Sequence, residues 1–259
     1  MTFQIADTRQ RVDGWVARGR TLDEPQPGSE LADDDRTWPF LPASEIARLA
    51  LLAASEHLQL VGETVDRKRL YASALHTPLR GALVGGATAV WLVAPDDAHE
   101  RRQRALRIAT EWYQHKADYD GMLLPVCPPE LRRRLTDEIG HLIKHGAQCR
   151  LLWQSTDTLT ATERPNDTKV IQWVADILYS GEPATALRVK AQWADMSGDT
   201  HAVGWQLLSR RTAPMTPTPD GLRKATVVRE IEHLLEPYLV AYSVVRRGWL
   251  LFDQRFSNS

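Results

Sequence analysis

The sequence has little cysteine, no excess of charge of either sign and no long apolar run, and each shortage excludes a class of protein. Two cysteines, Cys127 and Cys149, occur in 259 residues. They lie far apart, so there is neither a disulfide framework nor a CxxC zinc motif. Lysine and arginine number 32 against 33 acidic residues, a net charge of −1. This balance argues against broad electrostatic binding to nucleic acid or to an anionic membrane. We expect a protein of the reducing cytoplasm.

Membrane spans and common cofactor motifs are also missing. The most apolar stretch, residues 82–94, is shorter than the roughly 20 residues that a spanning helix needs. The charged N-terminal residues 1–20 contain no apolar stretch of the signal-peptide type. HExxH, P-loop and EF-hand spacings do not occur, and no GxGxxG follows a strand. We therefore expect no membrane partner, no cofactor and no metal.

Helix start signals and helical periodicity recur along the chain, whereas alternating strand patterns do not. Residues 1–19 are predicted to form an amphipathic helix, and residues 21–42, with four prolines and an acidic run at 33–35, an arm. The body begins at Ser44, with helices predicted over about 77–93, 97–118, 129–145, 167–179, from 183 onward, and 220–245. The predicted fold is an all-α multi-helix bundle with an N-terminal arm. Its two parts are the N-terminal helix and proline-rich arm, 1–42, and the helical bundle domain, 43–259.

Two faces of these helices can be assigned from residue type. Gly81, Gly85 and Gly86 lie inside the helix 77–93, where each costs roughly 1 kcal/mol relative to alanine. Their spacing leaves a smooth strip, so we expect a neighbouring helix to approach closely there. In the following helix, Glu100, Arg101, Arg102 and Arg104 are expected on the solvent face.

Two segments resemble a known group of helical proteins. The first is HTPLRGALVGGATAVWLVAP, residues 76–95, followed by the arginine-rich RRQRALRIA; the second is WADMSGDTHAVGW, residues 193–205. Both resemble uncharacterised actinobacterial helical proteins that are distantly similar to the HEPN-like superfamily, and the resemblance covers residues 44–211. It implies a helical bundle that pairs as a homodimer. Many HEPN domains are ribonucleases of bacterial defence and toxin–antitoxin systems.

The resemblance also implies where a ribonuclease site would lie. An aromatic-Arg pair precedes Ser-x-x-x-His in the family pattern, because a cation stabilises the developing charge and an imidazole moves a proton. In this chain Trp193 takes the aromatic position, Ser197 the serine and His201 the histidine. Ala194 stands at the arginine position, and Val84 at the acidic position of the earlier helix. Two polar positions are therefore apolar, which favours a protein without catalytic activity.

The same segment has two further interpretations. Ser197, Asp199 and His201 are the residue types of a hydrolase triad, but they lie in one short turn, whereas triads are normally assembled from separate loops. In the structural interpretation, Ser197 or Asp199 caps a helix that begins near Thr200. His201 is then buried between helices.

Two other residue pairs are candidates. Arg134 and His141 fit an Arg-x6-His spacing and would be the alternative catalytic pair; the other interpretation is a solvated helix face. Trp38 and Phe40 lie in the arm, where we expect them to anchor it and to offer an interaction surface to another subunit.

These patterns leave two functions open. The first is a non-catalytic HEPN-like protein that binds an unidentified protein partner, in phage defence or prophage biology. The alternative is a metal-independent HEPN-type ribonuclease, toxin-like, with a diverged active site and RNA as its substrate. The feature that separates them is an arginine within hydrogen-bond reach of His201.

Overall fold

A computed structural model describes residues 2–156, 165–210, 215–221, 223–224 and 230–258. It is 76% helical, which confirms the predicted all-α class. The helices in chain order are α1 (Thr2–Ala6), α2 (Arg9–Gly19), α3 (Glu30–Asp35), α4 (Ala43–Asp66), α5 (His76–Val93), α6 (Ala98–Leu123), α7 (Pro129–Thr156), α8 (Asp167–Leu178), α9 (Pro183–Thr200), α10 (Trp205–Ser209) and α11 (Glu232–Phe256). Strands β1 (Thr216–Pro217) and β2 (Arg223–Lys224) pair antiparallel before α11. None of the described helices has the length and apolar content that crossing a bilayer requires.

The chain divides into two compact units that interleave along the sequence. The first unit comprises Met1–Asp23, Arg48–Trp91 and Asp167–Asp253, and the second Glu24–Ala47, Leu92–Asn166 and Gln254–Ser259. The predicted division into an arm, 1–42, and a bundle domain, 43–259, has different boundaries from these two units and stays a prediction.

Close helix packing in the first unit explains the glycines of α5. Added methyl groups would lie within 3 Å of neighbouring atoms at all three positions: the His57 ring at Gly81, the Ala50 carbonyl oxygen at Gly85 and Val245 at Gly86. The neighbours belong to α4 and α11, so α5 is approached from two sides. The expectation of a smooth strip facing other helices is confirmed.

The arm is better ordered than its prolines suggest. Its acidic run ends the short helix α3, whose N-cap Ser29 accepts a hydrogen bond from the Ala32 amide at 3.3 Å. Asp34 is buried in the second unit, where its carboxylate lies 2.6 Å from Arg101 Nε and 2.9 Å from Arg102 Nε. The arm is thereby held to α6 by charge as well as by apolar contact.

The expected solvent face of α6 is wrong for two of its four residues. Arg101 is 2% exposed and Arg104 is 6% exposed. Arg101 also donates from Nη1 to the carbonyls of Pro95 and Asp96, each at 2.9 Å. Guanidinium groups are buried only when they are paired and hydrogen-bonded. The partner that pairs with Arg101 lies far away in sequence, where helical periodicity cannot reveal it.

Two helix boundaries were predicted wrongly. Gly146 does not end α7, which continues to Thr156 and buries Cys149 and Trp153. A Cβ atom added at Gly146 would lie 3.4 Å from Cβ of Tyr113 on α6, so the glycine faces that helix. The last helix begins at Glu232 rather than after Asp220, because Gly221 adopts a left-handed φ of 80° and turns the chain into β2.

Candidate functional site

The Ser197–His201 segment ends a helix instead of starting one. Helix α9 begins after Glu182, as predicted, and runs without a break through Thr200. His201 is its C-cap, and the His201 amide donates to the Ser197 carbonyl at 3.1 Å. The expectation that Ser197 or Asp199 caps a helix near Thr200 is therefore wrong. Ala202 follows with a positive φ of 54°, a conformation that stops the helix.

His201 is exposed, which corrects the expectation that it is buried between helices. The buried face of α9 consists of Ala186, Val189, Trp193, Met196 and Asp199, at intervals of three or four residues. His201 falls off that stripe, and Trp205 is 53% exposed. Within the described part of the chain, no hydrogen bond or ion pair joins His201 to an arginine. Ser197 is half-buried on the same turn.

Asp199 is the one residue of the predicted trio that enters a polar cluster. It lies beside Asp195, one turn earlier on α9, and beside Arg210 and His76. Arg210 Nη2 contacts Oδ2 of both aspartates, at 2.7 Å from Asp199, and Arg210 Nη1 lies 3.4 Å from His76 Nδ1. His76 is fully buried, Asp199 and Arg210 are buried, and Asp195 is half-buried. We call these four residues the buried polar cluster.

The hydrogen-bond partners of His76 favour the tautomer with the proton on Nε2. Its Nε2 lies 3.3 Å from the carbonyl oxygen of His233, and a carbonyl only accepts. Nδ1 faces the Arg210 guanidinium, which only donates, although the Ser73 carbonyl lies 3.3 Å away as well. A proton on Nε2 satisfies both His233 and Arg210. Burial lowers the pKa of His76, Arg210 lowers it further, and Asp199 opposes them. The imidazole is therefore neutral at neutral pH.

The buried polar cluster suits ligation better than proton transfer to a large substrate. His76, Asp195 and Asp199 each offer a ligand atom, and these atoms lie within 4.8 Å of one another. Sequence reasoning missed the cluster because His76 is distant in sequence from α9 and Arg210 lies beyond the end of that helix. The i, i+4 spacing of Asp195 and Asp199, which places both carboxylates on one helix face, was the available signal.

Arg134 and His141 do not form a site. Both lie on α7 with exposed side chains. Seven residues along a helix correspond to about 10 Å, so their side chains emerge two turns apart. The alternative interpretation, a solvated face, fits this placement.

The arm aromatics behave differently from each other. Trp38 is 9% exposed, and its Nε1 donates to the hydroxyl of Tyr113 at 3.1 Å. Its ring meets His145 edge-on at 5.6 Å between centroids. Phe40 packs against the same imidazole at 4.8 Å between centroids, with the rings tilted by 33°, yet it remains 66% exposed. Trp38 therefore anchors the arm within the second unit, while Phe40 leaves most of its ring open to solvent.

Helices α6 and α7 form an antiparallel hairpin in the second unit. The α7 residues that are half-buried or buried are Leu135, Ile139, Leu142, Gly146, Cys149 and Trp153, among others. Their alternating spacing of four and three is that of a coiled-coil seam. The far end of the hairpin is different: Met122, Val126 and Leu131 are 71%, 79% and 51% exposed. We call these three residues the hairpin tip.

No protein-family model, no curated protein and no solved structure matches this chain. The site therefore has to be interpreted from its own geometry.

Proposed function

We propose that the protein is a non-catalytic helical protein that binds a protein partner through the hairpin tip. The exposure of Met122, Val126 and Leu131 carries this proposal. Single exposed apolar side chains are ordinary on any surface. Three large ones within ten residues, at the junction of α6 and α7, are less common on a surface, and grouped apolar exposure is typical of interaction sites.

The shape of the hairpin supports the same function. Lys116 of α6 contacts Asp120 on its own helix at 2.6 Å and Glu138 of α7 at 3.7 Å, so an ion pair joins the two helices. The apolar side chains at the tip are more than half exposed and contribute little buried area to the hairpin. A rigid helical pair that presents apolar side chains at its end can dock into an apolar groove of another protein.

The biological setting rests on the resemblance to HEPN-like proteins and is part of the proposal. We place the protein in the cytoplasm, in phage defence or prophage biology. A homodimer, the usual state of HEPN bundles and the commonest soluble oligomer, belongs to the same proposal. Phe40 is a second candidate contact because most of its ring is open.

The test is affinity capture from the native host with three forms of the protein. The tip variant carries Met122→Gln, Val126→Thr and Leu131→Gln. The control carries Ile177→Gln and Leu187→Gln, which change two apolar side chains of α8 and α9 that are 50% and 66% exposed. Surface changes of this kind usually alter stability by less than about 0.5 kcal/mol, so all three forms should fold.

A partner that wild type and control retain and the tip variant loses would support the proposal. A partner retained equally by all three forms would show that the hairpin tip is not the surface that binds it.

One observation favours the ribonuclease alternative: His201 is exposed, as a catalytic imidazole must be. The change His201→Ala should leave folding intact, because the side chain is open to solvent. We expect no cleavage of a mixed RNA pool by wild type. Cleavage that disappears in the folded His201→Ala variant would replace the binding function with the ribonuclease.

A further inference from the structure

The buried polar cluster of the first unit contains a carboxylate oxygen that lacks a hydrogen-bond partner in the part of the chain that the structure describes. Among the described residues, Oδ1 of Asp199 has no hydrogen-bond partner and, within hydrogen-bond distance, Oδ2 has only the 2.7 Å ion-pair contact with Arg210, although the side chain is only 1% exposed. An unsatisfied carboxylate oxygen away from water is costly, and buried polar atoms nearly always have a partner. The orphaned oxygen therefore needs an explanation beyond the four side chains.

Arg210 accounts for only part of the negative charge. It contacts Oδ2 of Asp195 and Oδ2 of Asp199 and thereby offsets one of two carboxylate charges. The imidazole of His76 is neutral and offsets none. A net negative charge is left beside a fully buried ring.

The second coordination shell of a metal ligand is already in place at His76. Metal-binding histidines almost always donate the other ring N–H to a carboxylate or a backbone carbonyl. His76 directs Nε2 to the carbonyl of His233 at 3.3 Å. The lone pair of Nδ1 therefore faces the cluster, 3.9 Å from Oδ2 of Asp199 and 3.4 Å from Arg210 Nη1, and a metal ion bound to Nδ1 would replace that contact with Arg210.

Arg210 is compatible with a metal at this place. Because it holds the Oδ2 atoms, the Oδ1 atoms are the ones left for a metal. A guanidinium bonded to the distal oxygens of ligating carboxylates would orient them, as outer partners of metal ligands do.

We propose that His76, Asp195 and Asp199 bind a divalent transition-metal ion, Zn²⁺ in the first instance, with Arg210 holding the two carboxylates. One imidazole nitrogen with two carboxylate oxygens is a donor set that suits Zn²⁺ and its spectroscopic substitute Co²⁺ better than Mg²⁺ or Ca²⁺. One ligand atom from each of the three residues lies within 4.8 Å of the others, and binding of one Zn²⁺ at about 2.1 Å would bring these atoms to about 3.5 Å from one another. This inference departs from the expectation that the chain holds no metal.

The experiment measures Zn²⁺ retained by the full chain after loading and desalting. Wild type should retain a stoichiometric amount and should melt at a higher temperature with Zn²⁺ than after chelation, because a ligand that binds only the folded state stabilises it. Asp199→Asn should weaken binding by about 100-fold or more, since loss of an outer partner alone typically costs 10–100-fold.

Two variants serve as matched controls. Asp176→Asn removes a carboxylate of the same unit that is 60% exposed and pairs with Lys190. His201→Ala removes an exposed imidazole that is available for adventitious binding. Both should retain Zn²⁺ as wild type does.

X-ray absorption of the Zn²⁺-loaded wild type gives a second measurement, which needs no variant. It should show a single imidazole among oxygen ligands. Because it uses the wild type, this measurement tests the proposal even if Asp199→Asn does not fold. Wild type that retains no Zn²⁺, a folded Asp199→Asn that retains it fully, loss in the His201→Ala control, or a spectrum without imidazole would each overturn the proposal.

Discussion

Asp34 and Arg101 illustrate how one residue pair fixes a segment. Asp34 has a fully buried carboxylate between Arg101 and Arg102, and Glu30 adds a contact to Arg101 Nη2 at 2.9 Å. Removing one partner of a buried ion pair strands the other charge, which is more damaging than replacing both.

We predict that Asp34→Ala lowers the free energy of unfolding by about 3–5 kcal/mol. The matched control is Asp33→Ala, which breaks an exposed pair with Arg36 on the same short helix and should cost about 0–1 kcal/mol. Urea unfolding of both variants measures the difference. Equal losses would mean that burial of Asp34 is irrelevant.

His57 provides a prediction on acid stability. Burial lowers its pKa from the ordinary value of 6.5, against the opposing effect of Glu56, and its ring packs against Gly81. As the pH falls below about 6.5, the unfolded chain takes up a proton that folded His57 resists, so stability falls on acidification. His57→Gln should flatten the decline in melting temperature between neutral and mildly acidic pH. An unchanged slope would show that His57 titrates alike in both states.

Single residues also mark what the sequence could and could not predict. Gly81, Gly85 and Gly86 indicated a close contact, because glycine destabilises a helix and close packing is one of the few reasons for its presence there. Arg101 and Arg210 gave no such sign, since an arginine is compatible with solvent or with a buried carboxylate, and the choice depends on residues distant in the chain. Asp199 was singled out for the wrong partners: its real ones are His76, Asp195 and Arg210.

At the scale of helices, most starts were predicted well, although the start of α11 was not. Prolines and capping residues placed the beginnings of α5, α6, α7, α8 and α9 to within a residue or two, because they act on the local backbone. The predicted helix ends were wrong where packing overrides helix propensity. At Gly146, for example, α7 continues because this glycine packs against α6. The seam of α7 follows a heptad spacing, but its partner and its exposed tip depend on how the chain turns back.

Helix α5 yields a prediction of packing. Gly85→Ala places a methyl group 2.6 Å from a backbone carbonyl of α4, so we expect a loss of roughly 1–3 kcal/mol in unfolding free energy. Gly140→Ala, inside α7 with open space around it, should instead add about 0.5–1 kcal/mol through helix propensity. Opposite signs in thermal unfolding are the expected result. Two changes of the same sign would mean that the strip on α5 is not a contact.

At the scale of the whole molecule, charge balance and helical content fit a binding protein as well as an enzyme. The choice between them rests on which surface meets another molecule. The apolar hairpin tip belongs to the second unit, and the buried polar cluster to the first. Partner binding and metal binding can therefore be tested separately, and either can fail without the other.

The most direct test of partner binding is photo-crosslinking in the native host, with a photoreactive amino acid at position 126. A probe at position 187, also an exposed apolar position, is the reference. The account predicts a discrete cross-linked protein, either a second copy of this chain or another partner, from position 126 and none from position 187. No adduct from position 126, or the same adducts from both positions, would contradict it.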